Sequence, residues 1–168
     1  MVAPQTAEAA FSAPLFKQNA SPWGTALMGG GDTMTKSGCT VSSVAMALRH
    51  KGITISGSAA DPGTLNTWLK SNGGYSGNLL VWGAVPKLSS KITFDGRYTS
   101  GTSLSAATLR SYLDGGNKAI IANVRSGAHW VLLTNHNGGT VFNVNDPGYS
   151  TTTHNYSDFV GYGVYTIN

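Results

Sequence analysis

Ser37-Gly38-Cys39-Thr40-Val41-Ser42-Ser43-Val44-Ala45-Met46-Ala47-Leu48 passes from loop to helix at the only cysteine of the 168 residues. Val41, Val44, Ala45 and Leu48 recur at i, i+3, i+4 and i+7, one buried helical face. Lys36, Ser37 and Gly38 read as loop, so Cys39 falls at or just before the first helical turn. Free backbone N–H groups and the positive end of the helix dipole meet at such a position. That environment lowers a thiol pKa and favours the nucleophilic thiolate. Gly38 carries no side chain and leaves the approach to the sulfur open. Two readings stand at this point: a nucleophile, or the small, inert core residue that a lone cysteine commonly is.

Upstream, residues 1–14 are rich in small side chains and read as a loosely held lead-in, of the kind a trimmed, exported protein carries. A turn-like Ser21-Pro22-Trp23-Gly24 follows, then residues 28–36, whose Gly29-Gly30-Gly31-Asp32 reads as a flexible loop feeding the Cys39 helix. Downstream, His50-Lys51-Gly52 ends that helix with basic residues and a glycine cap. A second helix is expected over Pro62–Ser71, with Asp61 as N-cap, Pro62 in the first position and Asn72-Gly73-Gly74 as the stop. Leu79-Leu80-Val81-Trp82 fits helix or strand. Residues 91–94 read as a short strand, and Ser103-Leu104-Ser105 caps a helix through Leu113. Strands follow at Lys118–Val124 and at residues 129–135, 140–145 and 162–167, joined by glycine-containing connections that imply antiparallel hairpins. Helices come first and strands second. The class is therefore α+β, with an N-terminal helical half that carries the nucleophile helix and a C-terminal antiparallel sheet. No repeat or boundary divides residues 15–168, which read as a single domain.

A hydrophobic fraction of 40% with 10% aromatics is that of a globular chain. The net charge of +4 comes from 11 Lys and Arg against 7 Asp and Glu, scattered along the chain, and no cluster forms a nucleic-acid-binding stripe. The excess suits a solvated surface, or mild attraction to an anionic polymer such as a bacterial cell wall. One cysteine excludes an intrachain disulfide framework and a multi-cysteine metal site, and nothing signals a cofactor. No apolar stretch reaches membrane-spanning length, and the N-terminus lacks the charged and apolar regions of an uncleaved signal peptide. A secreted or extracytoplasmic monomer is the expectation.

The second informative stretch is His129-Trp130-Val131-Leu132-Leu133-Thr134-Asn135-His136-Asn137-Gly138-Gly139-Thr140-Val141-Phe142-Asn143-Val144-Asn145-Asp146. Asn137-Gly138 is the strongest two-residue hairpin signal. If it forms the turn, His136 faces Gly139 and, in the same register, His129 lies directly opposite Asp146, close enough for imidazole and carboxylate to hydrogen-bond. A Gly138-Gly139 turn makes the pair diagonal but keeps it on one face. Only a turn with an odd number of residues separates the two. A cysteine nucleophile needs a base, and the base an orienting partner. Cys39, His129 and Asp146 supply all three. The oxyanion donors would be the Cys39 N–H and an upstream side-chain amide, for which Gln18 is the candidate. A zinc site from Cys39, His129 and Asp146 is the lesser alternative, since no helical histidine pair or second cysteine supports it. His50, His136 and His154 read as surface residues. Trp82 reads as core, Trp130 as packed beneath the hairpin, and Trp23 as core or a cleft wall.

The run Gln18…Pro22-Trp23-Gly24…Ser37-Gly38-Cys39-Thr40-Val41-Ser42-Ser43-Val44-Ala45-Met46-Ala47-Leu48 resembles the papain-like cysteine peptidases related to the double-glycine leader peptidases of bacteriocin exporters. Asn72-Gly73-Gly74-Tyr75, His129-Trp130-Val131-Leu132 and Asn145-Asp146-Pro147-Gly148 continue the match, over roughly residues 15–150. The resemblance implies a papain-like fold, with Cys39 as nucleophile, His129 as base and acid, Asp146 as orienter and Gln18 in the oxyanion hole. The chain lacks the membrane and ATPase domains of an exporter, so it is similar to the stand-alone relatives. The expected activity is cleavage of peptide bonds through a thioester. The alternatives are a peptidoglycan amidase or endopeptidase acting on wall peptides, a transferase in which an amine resolves the thioester, and a catalytically silent binding module.

Overall fold

Cys39 opens a helix that lies against the middle of a six-stranded antiparallel sheet. A computed structural model describes residues 11–168. In chain order the elements are α1 (Met34–Ser37), α2 (Cys39–His50), β1 (Thr54–Ile55), β2 (Ser58–Ala59), α3 (Pro62–Ser71), β3 (Tyr75–Ser76) and β4 (Leu79–Leu80). A 3-10 turn, Trp82–Leu88, leads into β5 (Ile92–Tyr98), α4 (Ala106–Gly115), β6 (Lys118–Val124), β7 (His129–His136), β8 (Val141–Asn145), β9 (Thr153–Asn155) and β10 (Gly161–Ile167). The large sheet has the order β5-β10-β6-β7-β8-β9, and β1-β2 and β3-β4 are separate two-stranded hairpins. The chain is thus α+β, with one departure from the expected halves: β5, an edge strand of the large sheet, precedes helix α4.

Local chemistry accounts for the helices. Asp61 caps α3 by accepting the Thr64 N–H at 2.7 Å, while the Thr64 hydroxyl receives the Asp61 N–H at 3.0 Å, a reciprocal capping box. Ser105 caps α4, and Gly116 closes it in the left-handed region at φ +78°. Helix α2 differs from its expected single buried face, because every residue from Val41 to Leu48 is buried. The helix is enclosed by β6 and β7 on one side and α3 on another, so small residues fill the positions an exposed helix would give to charged ones.

Three expectations are corrected. Residues 34–37 are not loop but a turn of helix, α1, capped by the Thr33 hydroxyl and ended by the Gly38 N–H, which donates to the Met34 carbonyl at 2.8 Å. A β-carbon on Gly38 would meet that carbonyl oxygen at 2.5 Å, so the close joint between α1 and α2 requires glycine. The Gly29–Asp32 segment is not a free loop either. Asn78 Oδ1 accepts N–H groups of both Gly30 and Asp32 at 3.0 Å, which clasps the segment under the β3–β4 hairpin. The expected lead-in is seated where it is described: Phe11 is wholly buried, and its N–H donates to the Thr134 carbonyl at 3.0 Å. The rest of that lead-in, residues 1–10, lies outside the described residues. The stretch Leu79-Leu80-Val81-Trp82, open between helix and strand, divides into β4 and the start of the 3-10 turn, whereas β1, β2, β3 and β9 have no counterpart in the sequence reading because segments of two or three residues carry no alternation.

Candidate active site

The β7–β8 hairpin does not have the expected register. Its loop is three residues, Gly138–Thr140, closed by the Asn137 N–H donating to the Val141 carbonyl at 3.1 Å. The Asn137 side chain builds the turn by accepting the Gly139 N–H at 2.9 Å, and Gly138 sits at φ +84°. An odd loop would send His129 and Asp146 to opposite faces. A β-bulge reverses this: Leu133 pairs with Val144 but Asn135 with Asn143, so Thr134 is an extra residue in β7. Past the bulge the parity is restored, with Leu132 opposite Asn145. His129 and Asp146 become diagonal neighbours on one face.

There, Asp146 Oδ1 lies 2.6 Å from His129 Nε2 and also accepts the N–H groups of Gly148 and Tyr149, both at 2.9 Å. Both side chains are almost wholly buried. The other ring nitrogen, Nδ1, is not used by Asp146, and Cys39 lines the same cavity as the imidazole. Burial by itself disfavours the charged imidazole. The hydrogen bond to Asp146 and the neighbouring Cys39 outweigh it and push the His129 pKa up to about 9. Burial likewise opposes ionisation of Asp146, but the His129 hydrogen bond and the two backbone N–H donors hold its carboxyl below the ordinary value. The buried pair is therefore carboxylate and imidazolium at neutral pH.

Ser42 N–H donates to the Gly38 carbonyl at 2.9 Å, so the N–H groups of Cys39, Thr40 and Val41 precede the first bond of α2. Gln18 lines the same cavity as Cys39 and His129 and is 8% exposed. Its Nε2 donates to the carbonyls of Thr35 at 2.9 Å and Met34 at 3.5 Å, and its buried Oε1 has no partner. Gly148 keeps the space between them clear, for a β-carbon there would stand 2.8 Å from His129 Cε1 and 3.1 Å from Gln18 Oε1.

Several neighbours escaped the sequence reading. Lys17 Nζ donates to the carbonyls of Asp146 at 2.8 Å and Tyr149 at 2.6 Å, and the Gln18 N–H to that of Pro147 at 2.9 Å. Residues 17–18 thereby fasten the loop that carries Asp146. Tyr149 stands edge-on to the His129 ring at 5.0 Å, with the Arg125 guanidinium 3.6 Å over its own ring. Asn123 Nδ2 donates to the carbonyls of Gly127 and His129 and secures the left-handed Arg125–Gly127 turn before β7. A buried asparagine within an apolar strand was the one available signal among these.

The remaining candidates fall elsewhere. His136 pairs with Asp114, His154 with Asp158, and the His50 ring packs on Phe11. Trp23 lines a separate cavity of about 500 Å³ with Trp68, containing none of Cys39, His129 or Asp146. Trp130 lies between the Trp82 ring and the Arg97 guanidinium. Among the described residues no three His, Cys, Asp or Glu side chains converge as metal ligands, and no helix is long and apolar enough to cross a membrane.

This architecture and this cleft agree with comparison against protein families: residues 12–165 match the model of the Peptidase_C39 like family, and the chain belongs to that family. Membership supports a papain-like cysteine peptidase acting on peptides. No curated protein and no solved structure matches the chain.

Proposed function

We propose that the protein cleaves peptide bonds with Cys39 as nucleophile, His129 as base and acid, Asp146 as the group that orients His129, and the Cys39 N–H and Gln18 amide as oxyanion donors. The observation that carries this is the buried His129–Asp146 pair, 2.6 Å apart, facing the cavity that Cys39 also lines at the start of α2. An imidazolium persisting to about pH 9 beside the sulfur is the counter-ion a thiolate needs. The Cys39 sulfur attacks the peptide carbonyl carbon, and the oxyanion forms toward the start of α2. On collapse the C–N bond breaks and His129 delivers its proton to the leaving amine. Water, losing a proton to His129, then cleaves the thioester and frees the acid, and the thiol regains its proton. Asp146 Oδ1 keeps the ring fixed throughout, because it is itself held by two backbone N–H groups.

Cys39→Ala is expected to abolish hydrolysis of a peptide library while leaving the circular dichroism spectrum unchanged. Full residual activity would remove the assignment. Gln18→Ala is expected to lower kcat by about 10²–10³ if its amide serves the oxyanion. The net charge of +4 favours a second reading of the substrate as the stem peptides of an anionic wall polymer. Turbidity loss of wall suspensions, set against casein cleavage, separates the two.

A further inference from the structure

The turn between β6 and β7 is strained, and the side chain it positions stands beside the site. Arg125 and Ser126 are left-handed at φ +53° and +55°, and Gly127 follows at φ +97°. Among the described residues only one other non-glycine residue, Ser56, has a positive φ. Side chains disfavour this region, so two in succession persist only where neighbours impose it. The buried Asn123 imposes it here, through Nδ2 bonds to the carbonyls of Gly127 at 3.1 Å and His129 at 2.9 Å. The turn sets the Arg125 guanidinium 3.6 Å over the Tyr149 ring, whose own partner, edge-on at 5.0 Å, is the His129 ring. Tyr149 is itself fixed, since its N–H donates to Asp146 Oδ1 and its carbonyl accepts from Lys17 Nζ.

Arg125 is exposed, and among the described residues it makes no ion pair. One face of the guanidinium rests on the tyrosine, and its in-plane N–H donors are left for a ligand. Tyr149 lines the cavity of about 330 Å³ that Gln18, Cys39 and His129 share. Lys36 lines it too, its side chain 74% exposed and paired only with Asp32, at 3.5 Å. No Asp or Glu is among the described residues that form its wall. His129 must reach the leaving nitrogen, so this cavity takes the amine side of the scissile bond. Two residues of extended chain span about 7 Å, enough to carry a substrate group across Tyr149 to the guanidinium. From this placement we infer that Arg125 selects peptides bearing a carboxylate within the first two residues after the scissile bond. A guanidinium meets a carboxylate through two parallel N–H donors, and Lys36 adds positive charge on the same side. The inference rests on the cysteine-peptidase reading and names its substrate class.

The test is cleavage of a synthetic peptide library, with mass spectrometry locating each scissile bond. The best-cleaved sequence is then made with Glu or Gln at each of the two positions after that bond. A second pair ends at the second position, as the C-terminal acid or the amide, so that side-chain and chain-end carboxylates are told apart. In at least one pair the carboxylate form is expected to show kcat/KM at least about tenfold above its neutral partner. Arg125→Gln is expected to bring that ratio down toward one, and Arg125→Lys to keep part of it. A merely structural turn would lower both partners equally and leave the ratio alone. Equal kcat/KM within every pair for the native protein, or an unchanged ratio in Arg125→Gln, would overturn the inference while cleavage itself left the peptidase reading standing. No cleavage of any library member would remove both.

Discussion

In the proposed mechanism His129 sets how activity responds to pH. Its pKa is raised from an ordinary 6.5 to about 9, so the imidazolium form persists through neutrality and is lost as pH rises through that value. The alkaline limb of activity is expected near pH 9 in the native protein. Asp146→Asn keeps an oxygen for the His129 ring but removes the charge. Its limb is expected to move toward the ordinary 6.5, with kcat/KM at neutral pH down roughly tenfold, measured on one peptide across pH. An unmoved limb would show that Asp146 does not act through the imidazole. The same shift is linked to folding. The His129 contribution to stability is complete below the ordinary 6.5 and disappears as pH rises through about 9. The Asp146 contribution has the opposite sign: it is present above the ordinary carboxyl value and is lost as pH falls through the lowered one.

At the scale of elements, the β7–β8 hairpin decides whether the site exists. Its odd, three-residue loop and the extra residue Thr134 compensate each other in parity. Deleting Thr134 is expected to turn His129 away from Asp146. The result would be a folded chain whose Cys39 reacts with iodoacetamide no faster than a free thiol, checked by circular dichroism and alkylation rate. Rapid alkylation in that deletion would show that the bulge does not set the register. The sequence showed that His129 and Asp146 belong on adjacent strands, because Asn137-Gly138 marks a turn. It could not show the register, since the Asn137 side chain lengthens the loop and no residue type marks a bulge at Thr134. Helices α3 and α4 were legible to the residue or nearly so, because Asp61, Pro62, Ser105 and Gly116 act through local hydrogen bonds and φ preferences. The clasp of Asn78 on Gly30 was not, because it joins residues 48 positions apart.

Across the whole molecule, the order of helices before strands fixed the α+β class. The meeting of Cys39 and His129 depends instead on how α2 docks against β7, which no local pattern encodes. The N-terminal segment takes part in that docking: Phe11 is buried in the core, bonded to β7 through Thr134 and packed on His50 at the end of α2. Phe11→Ala is expected to cost about 3–5 kcal/mol in urea unfolding. A cost under about 1 kcal/mol would place residues 11–14 outside the cooperative unit. The docked arrangement is tested most directly by the rate of Cys39 alkylation with iodoacetamide at about pH 6, in the native protein and in His129→Ala. The native thiol is expected to react far faster than a free cysteine, and His129→Ala is expected to remove that excess. A native rate equal to that of free cysteine, or one that survives His129→Ala, would contradict the proposed pairing of Cys39 with His129.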